Sequence, residues 1–209
     1  MANIDAPKGF VPVRHMNGAP YNGAHQLYLL PSSVGTNIFV GDVVKHAGSS
    51  GAAGTFVNGI NCEGMPTVAV TAATNTGLDI AGVVVGILAQ PANLGVKYGI
   101  ASTNRILMVA DAKDTIFEAQ EDADTTPIAA ASIGLNASIV LGAGNTATGI
   151  SAHEIDSDSV AGTTTLPLKI LRLVNRPDNA LNTGGSGVDQ AKFEVAFNTH
   201  VYDLNSAGA

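Results

Sequence analysis

The chain has no tryptophan, one cysteine, and only six phenylalanines and four tyrosines among 209 residues. A lone thiol, Cys62, excludes an intrachain disulfide and a cysteine-rich metal site, so its expected state is buried and idle. With so few aromatics, the core must be built from Ala, Val, Ile and Leu, which carry most of the 45% hydrophobic content. Basic residues are also sparse: ten Lys and Arg, never in a run, against seventeen Asp and Glu. The net charge of −7 excludes the clustered cations that neutralise phosphate, so nucleic acid is not an expected partner. No uncharged apolar stretch reaches the roughly 18 residues of a membrane span. The start, MANIDAPKGF, lacks the layout of a secretory signal. The expectation is a soluble protein without a membrane partner, made in a cytoplasm.

What the chain has in quantity is turn chemistry: 24 Gly, 16 Asn and 17 Thr. Gly and Asn supply positive φ, and Thr suits pleated strands. The fold class expected is all-β, a small barrel or a jelly-roll-like sandwich, with at most one or two short helices. Strands are predicted on either side of the Gly41-Asp42 turn, at 66–72, 82–88, 105–110 and 114–120, then near 137–141, 166–174 and 191–198. Loops are predicted at 47–54 and 175–190. One short helix is predicted at 127–132, capped by Thr126, opened by Pro127 and ended by Gly134. Phe39, Val43, Val84, Ile87, Leu107, Val109 and Ile170 are the expected core.

Residues 1–35 read differently. Pro7, Pro12, Pro20 and Pro31 prevent a long helix or a central strand, yet Phe10, Val11, Val13, Tyr21 and Leu27 to Leu30 are too apolar for a disordered tail. The division expected is an extended arm at 1–35 and a single β body at 36–209. The arm lies either on a partner or on the edge of its own domain.

No motif commits the chain to chemistry. Residues 141–149, LGAGNTATG, match the spacing of a dinucleotide-binding turn after a strand. That site needs a helix at the second glycine, and Asn145 to Ser151 make a poor one, so a hairpin turn is expected. Asp111, Asp114, Glu118, Glu121, Asp122 and Asp124 lack the order of a calcium loop, as does Asp156-Ser157-Asp158, and read as a solvated rim. A carboxylate pair for glycoside hydrolysis cannot be picked out among them. His15, His25, His46, His153 and His200 have no i, i+4 spacing. Gly48-Ser49-Ser50-Gly51 and Gly185-Ser186-Gly187 both miss the nucleophile elbow. Asn136-Ala137-Ser138 is a glycosylation acceptor left idle without secretion. No catalytic residue, cofactor or metal is expected.

Several stretches taken in order do carry a resemblance. They are NGAPYNGA, GDVVKHAG, GVVVGI, RILMVADAKDTIFEAQEDAD, Ser132 to Asn136, TTTLPLKILRLVNRPDN and AKFEVAFNTHVYD. Their order over most of the chain resembles the capsid decoration, or cement, proteins of tailed bacteriophages. The resemblance implies an all-β body on the outer capsid surface of a virion and an arm gripping neighbouring major capsid subunits. It also implies a dimer or trimer, head stabilisation, and no catalytic residues. The capsid-interface candidates on the arm are Phe10, Val11, Val13, Arg14 and Tyr21. The alternatives are a tail-associated or virion-surface protein contacting host glycans, disfavoured by the scarce aromatics, and a β-barrel hydrolase.

Overall fold

The computed structural model describes residues 3–73, 79–122, 124, 126–181 and 190–203. The strands are β1 (Val11–His15), β2 (Gln26–Leu30), β3 (Val43–Ser50), β4 (Phe56–Val57), β5 (Ile60–Asn61), β6 (Pro66–Val70) and β7 (Ile80–Ile87). They continue with β8 (Arg105–Ala110), β9 (Thr115–Gln120), β10 (Asn136–Asn145), β11 (Ile150–Ala161), β12 (Leu168–Leu173) and β13 (Lys192–Phe197). The all-β class expected from composition is what the chain adopts.

Two sheets carry the structure. One is a closed barrel in the order β2-β6-β3-β7-β8, and the other has six strands in the order β1-β9-β13-β12-β10-β11. A parallel bridge between Glu121 and Ile155 brings β11 back against the end of β9, so the second sheet curls toward closure as well. The β4–β5 hairpin sits beside the barrel.

Side-chain alternation explains how the two sheets share residues. Successive strand residues face opposite ways. On β3, Val43 joins the core of the six-stranded sheet while Val44 enters the barrel; on β7, Val83 and Val84 divide the same way. The uninterrupted run Gly82 to Ile87 is therefore apolar because both of its faces meet a core. Phe10, Phe117, Phe193 and Phe197 gather in the sheet core, with the rings of Phe117 and Phe197 4.9 Å apart. Tyr28, Leu30, Ile38, Val68, Leu107 and Val109 fill the barrel. A third cluster of Leu29, Val57, Cys62 and Ile106 lies beneath the hairpin, where the thiol is buried as expected.

Four expectations need correcting. Residues 1–35 are not an arm apart from the body: β1 pairs with β9, and β2 closes the barrel between β6 and β8. The prolines allow this because of where they fall. Pro12 lies on the edge strand, Pro20 lies on the returning segment bridged to Arg14 and Pro31 directly follows β2, so none removes a central donor. The helix expected at 127–132 is only a 3-10 turn at Ala130–Ser132, and no side chain caps it. The loop expected at 47–54 is half strand, since β3 runs to Ser50 and pairs with Pro66. Of the seven predicted core residues, Phe39, Val43, Val84, Leu107, Val109 and Ile170 are buried, but Ile87 is half-buried at the end of β7. No helix among the described residues is long and apolar enough to cross a membrane.

Candidate functional site

The face built on residues 8–21 holds all five interface candidates, and they serve different ends. Segment 8–10 lies on the Gly41 turn: the Phe10 amide donates to the Gly41 carbonyl at 2.9 Å. A β-carbon on Gly9 would stand 2.4 Å from that carbonyl oxygen, so this close approach requires glycine. It delivers Phe10 into the chain's own core, where it is 1% exposed. Phe10 is therefore a packing residue, and the expectation that it anchors on a partner is corrected. Val11 remains exposed at 43%, while Val13, Arg14 and Tyr21 are half-buried. Arg14 and Arg172 both bond to Glu194, which their guanidinium groups hold below its ordinary pKa against the opposing effect of burial.

The outer edge of β1 is blunted. His15 donates to the Ala19 carbonyl and Tyr21 to the Val13 carbonyl, so the returning chain occupies the ladder sites an added strand would need. What stays open is side-chain surface. An apolar groove of about 370 Å³ is floored by Phe10 and walled by Val11, Pro12, Tyr21, Val85 and Ile150. A polar cleft of about 260 Å³ adjoins it, lined by Lys8, Gln120, Arg176 and Lys192 among others. Sequence reasoning missed Lys8, Gln120 and Lys192. They lie far apart along the chain, and only the β1-β9-β13 order brings them together.

The glycine turn is resolved by packing. Gly142 and Gly144 lie on β10, within the β10–β11 hairpin and not at the start of a helix. A β-carbon at Gly144 would fall 2.3 Å from the Phe39 ring, and one at Gly142 would fall 1.9 Å from the Ala152 carbonyl oxygen. Asn145 Oδ1 accepts the Ala147 amide at 2.9 Å and shapes the turn. These glycines make room for a ring and a neighbouring strand.

A constellation not foreseen from spacing is Asp42, Ser151 and His153, all at most 3% exposed. His153 Nε2 lies 3.4 Å from Asp42 Oδ1, and His153 Nδ1 accepts the Val43 amide at 3.2 Å. A serine nucleophile needs one imidazole nitrogen aimed at its hydroxyl while the other faces the carboxylate. Here Nδ1 is taken by a backbone amide and Nε2 faces the carboxylate without a hydrogen bond to it, while Ser151 bonds to Asp42 and its Oγ accepts the backbone amide of His153 at 3.0 Å. Burial pushes Asp42 up, opposed by His153, Ser151 and the Phe39 amide; burial pulls His153 down, opposed by Asp42. The cluster joins the start of β3 to β11 and ties the barrel to the second sheet. A cavity of about 420 Å³ opens beside it, bordered by Phe39, Asp42, Gly144 and His153.

The acidic run at 111–124 separates into individual structural roles. Asp111 accepts the Tyr28 hydroxyl, Asp114 faces His15, and Glu118 grips Arg176. Glu121 is fully buried and accepts the amides of Ile128 and Ala191, so it is no part of a solvated rim. Repulsion does gather on β11: burial, then Asp5 and Asp122, push Glu154 up to about 7. Among the described residues no three His, Cys, Asp or Glu are grouped to hold a metal ion. The Gly185-Ser186-Gly187 stretch lies outside the described residues.

No family model, curated protein or solved structure matches this chain.

Proposed function

We propose that the chain is a structural virion protein that binds the outer surface of a tailed-phage capsid and cements neighbouring major capsid subunits. The observation that carries this reading is the groove at residues 8–21. There Val11 and Ile150, both about 40% exposed, line an apolar surface on an otherwise acidic body. Such a surface is suited to receive side chains from a partner. The order of sequence stretches that resembles decoration proteins supports the same reading. So does the wiring of Asp42, Ser151 and His153, in which neither imidazole nitrogen is aimed at the serine hydroxyl.

Binding to an assembled shell stabilises it by mass action, and copies repeated over a lattice add their contributions. The protein acts in this reading as a homo-oligomer, a dimer or trimer, whose copies each contact major capsid subunits. Co-sedimentation of the purified protein with empty capsids tests it, with copy number per major capsid subunit as the readout. Saturable binding at a fixed small ratio is expected. Absence of binding, or binding without saturation, contradicts the reading.

A further inference from the structure

We propose that the two depressions flanking residues 8–12 form one docking site for an acidic segment of a partner protein. An apolar side chain seats in the groove, and a neighbouring carboxylate enters the cleft lined by Lys8 and Lys192. The depressions share Lys8 and Val11, so they are neighbours along a single stretch of backbone.

Charge selects the occupant. Three of the ten basic residues of a chain with net charge −7 line this one cleft. Arg176 is engaged by Glu118 at 2.8 Å and Asp178 at 3.8 Å, whereas Lys8 and Lys192 make no ion pair among the described residues. Among the described residues, three cations against two carboxylates leave a small positive excess. That suits one carboxylate and is too little for a polyphosphate chain, which needs many cations. A second observation points the same way. Gln120, 3% exposed and lining the cleft, uses Oε1 to accept the Ala6 amide at 3.2 Å. Its Nε2 has no acceptor among the described residues. A buried donor without an acceptor is disfavoured, and rotation of the Gln120 amide into the cleft would offer Nε2 a carboxylate oxygen. The groove supplies the other half: at about 370 Å³ it sits at the low end of the range of about 300–1,000 Å³ for ligand sites, room for one or two side chains. With the edge of β1 already capped, recognition runs through side chains and not through strand addition.

The inference rests on the capsid-binding reading only for the identity of the partner, so its test uses no capsid. The whole chain, isotopically labelled, is titrated with the peptide acetyl-Gly-Leu-Asp-Leu-Gly-amide and followed by amide shifts. Shifts confined to residues 8–12, 21, 84–85, 118–120, 150, 176 and 192 are expected, with affinity reduced roughly five-fold or more in the K8Q/K192Q double variant and for a peptide carrying Asn in place of Asp. Val11→Asn should weaken binding without changing the far-UV spectrum. Equal binding of the Asn peptide, shifts elsewhere, no binding, or competition by inorganic phosphate at equal concentration overturns the inference. If the peptide binds and capsids do not, the capsid reading falls and the docking site stands; if capsids bind and the peptide does not, the reverse holds.

Discussion

Removing residues 1–35 should prevent folding, not merely weaken binding. The truncation deletes β2, which closes the barrel between β6 and β8, and leaves both of those strands with an open edge. It also removes Phe10, Tyr28, Leu29 and Leu30, each at most 3% exposed. At about 1.5–3 kcal/mol for each buried side chain, the four contribute about 6–12 kcal/mol. That matches the whole stability of an ordinary domain, about 5–15 kcal/mol. The point variants grade the same argument. Leu30→Ala should cost about 2–5 kcal/mol and Phe10→Ala about 3–5 kcal/mol. Val11→Asn, on exposed surface, should stay within about 0.5 kcal/mol. Urea unfolding followed by circular dichroism measures all three, and soluble yield with a thermal scan measures the truncation. A truncated chain that unfolds cooperatively near the full-length midpoint would refute the reasoning, because β2 would then be dispensable to the barrel.

Other predictions follow from single sites. Gly144→Ala should cost about 1–3 kcal/mol by forcing the Phe39 ring aside, read by urea midpoint. Burial, reinforced by Lys113, holds the pKa of His200 at about 4, below its ordinary value of 6.5, so stability present above pH 6.5 should be lost as pH falls toward 4. The full effect is about 3 kcal/mol, and His200→Asn should flatten that acid limb of a pH–stability curve. Glu154 titrates the other way: with its pKa raised to about 7, the stability present below pH 4.5 is lost as pH rises through 7. Glu154→Gln should therefore raise the unfolding midpoint at pH 8 and leave it unchanged at pH 4, by at most about 1 kcal/mol after solvent screening.

Composition and periodicity made the class legible, and strands such as β7 and β8 announced themselves through β-branched runs. β11 did not. Its inward positions include Ser151, His153 and Ser157, so the apolar alternation that marks a half-buried strand is missing. The same polar inward positions concealed the Asp42–His153 contact, which depends on β11 lying next to the Gly41–Asp42 turn. The early segment misled for another reason. Its prolines argue correctly against a long helix, but β1 and β2 are short enough for prolines to fall at an edge or beyond an end. The cleft was invisible for want of proximity: Lys8, Gln120 and Lys192 meet only through long-range strand order.

The most direct test of the central claim is hydrogen exchange on the protein free and bound to empty capsids. Slowed exchange is expected at residues 8–21 and 148–151, which border the groove, with the β4–β5 hairpin unchanged. Binding that protects the hairpin and leaves residues 8–21 exchanging as in the free protein would contradict it.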